Sequence, residues 1–145
     1  MRHFTLPAQC AAALLAIAML CGCQEHTKPL DEAALSRQVR ALASLSAEAA
    51  FVTAELRAGH LQRSFAAIHL QSLAEDAAKA ETEIAKPAPA QLQRQHAAAQ
   101  VLARQLVQAL RDIITAQAGP DERLESEGRI VLRLKSDFDA LGKGA

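Results

Sequence analysis

Four stretches of this chain carry apolar side chains at alternating three- and four-residue steps, interrupted at Gly59, at Lys86–Pro89 and at Gly119–Pro120. That spacing is the 3.6-residue period of a helix with one face turned inward, and nowhere does the chain show the period of two of a half-buried strand. The first stretch, from about Asp31 to Ala58, repeats Leu35, Val39, Leu42, Leu45, Ala49, Val52 and Leu56, with Asp31 suited to cap it. The second, from about Leu61 to Ala85, repeats Ala66, Leu70, Leu73, Ala77, Ala80 and Ile84. The third opens at Pro89, reaches about Gln117 and repeats Leu92, His96, Ala99, Leu102, Leu106, Ala109 and Ile113. The fourth starts at the acidic Asp121-Glu122 and repeats Leu124, Val131, Leu134, Phe138 and Leu141, with Gly142 onward expected to fray.

Four segments of similar length with short connections predict an all-α, up-down-up-down four-helix bundle over residues 31–142, with 143–145 as a frayed tail. Many alanines among the leucines predict close helix approach, toward about 8 Å. A second stripe, Phe51, Ala54, Ala58, Leu61, Phe65 and Ile68, stays in phase through Gly59. If Gly59 ends the first helix, the stripe makes a hairpin whose end Phe51 and Phe65 close by meeting. If it does not, residues 31–85 form one helix about 80 Å long, and a domain-swapped homodimer follows.

Composition excludes some functions. Sixteen Lys and Arg balance sixteen Asp and Glu, so the electrostatic footprint of a nucleic-acid binder is missing. Aromatic residues are 3% of the chain, too few for base-stacking platforms.

The N-terminus reads Met1-Arg2-His3, followed by the apolar run Ala11–Leu20. A run of about ten apolar residues is short of the roughly 20 needed to cross a bilayer, and suits a secretory signal instead. Leu20-Cys21-Gly22-Cys23 at its end resembles the lipobox of bacterial lipoproteins: a branched apolar residue, a small residue, then the cysteine. The less usual residue is Cys21, where Ala or Ser is commoner. The resemblance implies a signal peptide over 1–22, cleavage between Gly22 and Cys23, and a diacylglycerol and an acyl chain on Cys23. Two or three chains hold a protein on a bilayer durably. Gln24 after the cysteine, rather than Asp, implies outer-membrane delivery with the domain facing the periplasm. Residues 23–30 then form a short tether. An ordinary cleaved signal is the plainer alternative. A Cys-x-Cys metal pair is the other, but two soft ligands alone do not make a zinc site.

No arrangement of residues announces catalysis, a metal or a cofactor. His96 sits on an apolar stripe without a visible partner, and no Glu-x-x-His occurs to support a di-iron centre. His69 and His96 are expected at different heights. Ser64 and His60 share a face but lack a third member. Glu48, Glu55, Glu75 and Asp76 read as a solvated face. Arg129 with Glu125 and Arg133 with Asp137 read as helix-supporting pairs. Arg129, Arg133 and Lys135 could touch phosphate, although Asp137 and Asp139 dilute them.

The expectation is therefore a non-catalytic envelope protein, held on the membrane through Cys23, that docks on another envelope protein. Its candidate partner surface is Phe51, Leu61, Phe65 and Ile68. The alternative is a carrier or sensor holding a small apolar ligand between the helices, which requires a void near Phe51 and His96.

Overall fold

A computed structural model describes residues 29–143; the signal, the lipobox with Gly22 and Cys23, and residues 144–145 lie outside them. Asp31 opens the first helix as expected. Its backbone is extended, and its Oδ1 accepts from the Ala34 N–H at 2.7 Å, satisfying a donor that the helix itself cannot. Helix α1 then runs Glu32–Arg57.

At Gly59 the chain turns. Its φ of +74° is a left-handed conformation that costs a residue with a Cβ about 1–2 kcal/mol. The Gly59 N–H donates to the Leu56 carbonyl at 3.1 Å and the His60 N–H to the Glu55 carbonyl at 3.0 Å. These two bonds make a Schellman cap, which ends a helix and reverses the chain. The continuous helix through Gly59 is therefore corrected: the chain forms the hairpin.

Helix α2 spans Arg63–Ile84, a 3-10 turn Ala90–Leu92 leads into α3 at Gln93–Ala116, and α4 spans Asp121–Lys143. Two boundaries differ from expectation. Pro89 precedes the 3-10 turn, its carbonyl accepting from the Leu92 N–H at 2.9 Å, and does not open the α-helix directly. Helix α4 does not fray at Gly142, because that residue packs on α1: a Cβ built there would lie 3.8 Å from Val39 Cγ1.

The helices pack as an up-down-up-down bundle. Helix α1 lies between α2 and α4, helix α3 likewise, and α1 and α3 touch only weakly across the diagonal. Arg57 at the end of α1 meets Glu125 at the start of α4 at 2.6 Å, so these two run antiparallel. At the opposite pole, Gln95 near the start of α3 bonds the Leu141 carbonyl at 3.4 Å. The Leu30 N–H donates to the Pro87 carbonyl at 2.9 Å, strapping the entry of α1 to the α2–α3 loop, and Leu30 itself is buried.

The core is the four stripes, and α2 buries all six residues expected of it. Leu45, Leu102 and Leu141 are only half-buried at the stripe edges, while Ala103, Val107, Leu110 and Ala116 widen the buried face of α3. Helices α1 and α4 approach closely at Gly128 of α4. A Cβ there would stand 3.0 Å from Thr53 Cγ2, and Thr53 is fixed by its hydroxyl donating to the Ala49 carbonyl at 2.7 Å.

Two predictions follow from these glycines. Gly59→Ala should lower stability by about 1–2 kcal/mol in urea melts and raise the dimer fraction at high concentration in size-exclusion chromatography. Gly128→Ala should destabilise despite alanine's better helix propensity. Removing the obstructing methyl with Thr53→Ser should turn the same glycine change into a gain of about 0.5–1 kcal/mol over the Thr53→Ser single variant.

Candidate functional site

The second apolar stripe is left largely outside the fold. Phe51, Phe65 and Ile68 are exposed at 64%, 59% and 73%, and Leu61 is half-buried against the core. Phe51 and Phe65 thus do not close the hairpin as expected. The turn at Gly59 brings Leu61 down on the core instead, and Phe51 falls on the side of α1 opposite its buried residues. The Phe65 ring stacks on His69, with centroids 6.1 Å apart and planes 15° from parallel. The same imidazole meets Glu48 at 2.8 Å, so a Glu48–His69–Phe65 ridge crosses the outside of the α1–α2 seam.

The other histidines are accounted for by local partners. His96 is buried, and its Nε2–H donates to the Ile84 carbonyl at 2.6 Å, capping the last turn of α2. Ile84 lies about 22 Å along α2 from His69, so these two histidines serve opposite ends of the bundle. His60 turns to Glu55 at 3.0 Å rather than to Ser64. Among the described residues, no three His, Cys, Asp or Glu side chains converge as metal ligands would.

Arg57, Arg63, Lys79, Lys86, Arg129 and Lys135 each reach a carboxylate. Asp76 holds the Lys79 ammonium above the ordinary lysine value, by their 2.8 Å hydrogen bond first and by charge second. On α4, Lys135 bonds Asp139, and Arg129 approaches Glu125 at 3.8 Å. Arg133 and Asp137, expected as a pair, do not meet. Both line an open cleft of about 510 Å³ between α3 and α4, with Gln105, Asp112, Glu127 and Ile130. Further open clefts of about 190 Å³ and 420 Å³ lie on the α1–α4 and α1–α2 seams. Neither Phe51 nor His96 lines any of these.

One feature was not singled out from the sequence. Arg94, Arg104 and Arg111 are exposed on α3, and none has an ion-pair partner among the described residues. The signal was readable: no Asp or Glu stands three or four residues from any of them.

What fold and surface define together is a four-helix bundle with three exposed large apolar side chains on its first hairpin. The chain matches no protein-family model, no curated protein and no solved structure.

One buried group lacks a partner. Gln117 follows the core stripe of α3; its backbone N–H donates to the Ile113 carbonyl at 3.1 Å and its carbonyl accepts from Arg63, but its buried Nε2 has no hydrogen bond. Gln117→Leu should therefore raise stability by about 1 kcal/mol in thermal or urea unfolding, because it removes an unsatisfied donor and keeps the volume.

Proposed function

We propose that this chain is a lipid-anchored envelope protein, facing the periplasm from the outer membrane, whose helical bundle is an interaction module and not an enzyme. The lipobox resemblance at Leu20–Cys23 supports the anchor and its location. None of the described helices is long and apolar enough to cross a membrane, so attachment rests on the lipid at Cys23.

The observation that carries the docking reading is the exposure of Phe51, Phe65 and Ile68. Three large apolar side chains on one hairpin, beside stripes that are largely buried, leave uncovered a surface that a partner would remove from water. Each is worth about 1.5–3 kcal/mol when fully buried. The anchor raises the local concentration of both partners, so a modest contact suffices. The carrier alternative requires a void beside Phe51 and His96, and neither residue lines any of the open clefts of the described surface.

The test uses two variants in crosslinked cell envelopes. Cys23→Ala should leave the membrane fraction or remain unprocessed. Phe65→Glu should keep its helical circular dichroism and its membrane attachment while weakening a discrete envelope crosslink about tenfold or more. Unchanged attachment of Cys23→Ala defeats the anchor. A crosslink indifferent to Phe65→Glu defeats the docking surface.

A further inference from the structure

We infer that the partner received by the α1–α2 hairpin is an amphipathic helix whose apolar residues are flanked by lysines or arginines. This rests on the reading of Phe51, Phe65 and Ile68 as a docking surface.

The permanent charge around these three side chains is of one sign. Between Arg40 and Arg57 on α1, and between Arg63 and Lys79 on α2, the chain has no lysine or arginine. Those two stretches carry Glu48, Glu55, Glu75 and Asp76 instead. Glu48 and Glu55 stand one helical turn before and after Phe51, and Glu75 lies two turns beyond Ile68 on the same side of α2. The bordering cations are engaged or distant. Arg57 meets Glu125 on α4, Arg63 bonds the Gln117 carbonyl and approaches Asp121 at 3.7 Å, and Lys79 is tied to Asp76. Arg40 lies about 16 Å along α1 from Phe51. Glu48 and Glu55 meet imidazoles, His69 at 2.8 Å and His60 at 3.0 Å. An imidazole is not the permanent cation that a guanidinium is. Glu75 has no ion-pair partner among the described residues.

An apolar patch with an acidic rim selects among occupants. A second copy of this chain, docked through the same patch, would set carboxylates against carboxylates, and an anionic bilayer would meet the same repulsion. Lysines or arginines beside an apolar stripe complement it. The fold points to a helix as their carrier. The described residues contain no strand, so they offer no sheet edge for backbone pairing, and side chains must make the contact. Phe51 and Phe65 stand at similar heights on neighbouring antiparallel helices, because Glu48, one turn before Phe51, meets His69, one turn after Phe65. Two such helices, with axes about 10 Å apart, form a trough that the i, i+3 and i+4 side chains of a third helix can enter. Further along the same seam, an open cleft of about 420 Å³ is lined by Ala41, Ser44 and Ala80 with the charged Asp76, Lys79 and Glu83.

The experiment crosslinks the full-length lipoprotein in intact cells. A benzophenone amino acid is placed at position 64, exposed one turn before Ile68, or at position 115, exposed on α3, and the crosslinked peptides are sequenced by mass spectrometry. Position 64 should capture a segment of an envelope protein with apolar residues at three- and four-residue steps and lysines or arginines beside them. Position 115 should not capture it. Glu48→Gln alone should lower the yield about twofold to fivefold, and Glu48→Lys with Glu55→Lys about tenfold or more. Arg94→Glu on α3 should leave it unchanged. In isolated envelopes, high salt should weaken the native product and spare what remains in Glu48→Gln with Glu55→Gln. Circular dichroism of each variant separates a lost contact from a lost fold. A captured segment that is acidic or uncharged, a segment of this chain itself, or a yield indifferent to both carboxylates overturns the inference and leaves the docking surface standing. No discrete product from position 64 defeats the docking surface and this inference with it.

Discussion

The close packing of α1 against α4 governs the rest of the molecule. Along that seam the chain uses Ser46, Ala49, Thr53 and Gly128, and a single added Cβ at Gly128 would collide with Thr53 at 3.0 Å. Small side chains bring helix axes together and leave little interior to fill. Each buried alanine contributes little apolar area, so long helices are needed to accumulate a core. The bulk comes from a few large, fully buried residues, among them Phe138, Leu35, Leu70, Leu110 and Ile113. A tight interior also pushes open space outward, which is why the clefts lie on the seams rather than between the four helices.

Polar atoms inside this bundle are answered mostly by backbone. The Ser46 and Thr53 hydroxyls return to carbonyls four residues back in their own helix, at 2.8 Å and 2.7 Å. His96 reaches across to the exposed end of α2. None of these needs a polar partner in the facing stripe, so the seams can remain apolar and close. The polar work that joins helices is done at the poles and on the outside, by Arg57 with Glu125 and by Glu48 with His69.

The stripes were legible because burial and helical period coincide: every apolar position expected of α2 is buried, and the misses elsewhere are edge positions such as Leu45 and Leu102. Gly59 was ambiguous because the second stripe stays in phase through it. Only the left-handed backbone and its two capping bonds distinguish a turn from a weak point in one long helix. Gly142 was misjudged because the contact that keeps it helical, with Val39, is remote in sequence. Attention to charge fell on α4, where basic residues crowd together, but crowding does not decide which cations stay free. Pairing does, and it removed Lys135 and Arg129 from that cluster while leaving Arg133 there, and Arg94, Arg104 and Arg111 on α3, without an ion-pair partner. The exposed phenylalanines could be marked as a stripe but not as a surface, since a second apolar face can be buried in a hairpin as readily as it can be left bare.

The strap at Leu30 has a mechanical consequence. A pull arriving through the residues before Pro29 is delivered first to a buried leucine and to a hydrogen bond on the α2–α3 loop. Beyond that point it runs along the axis of α1, whose neighbours α2 and α4 lie antiparallel on either side. Load of this kind must break the Leu30 contacts before it reaches the first turn of α1. The entry to the bundle is thereby held by tertiary contacts made before α1 begins, at the pole opposite the Gly59 turn.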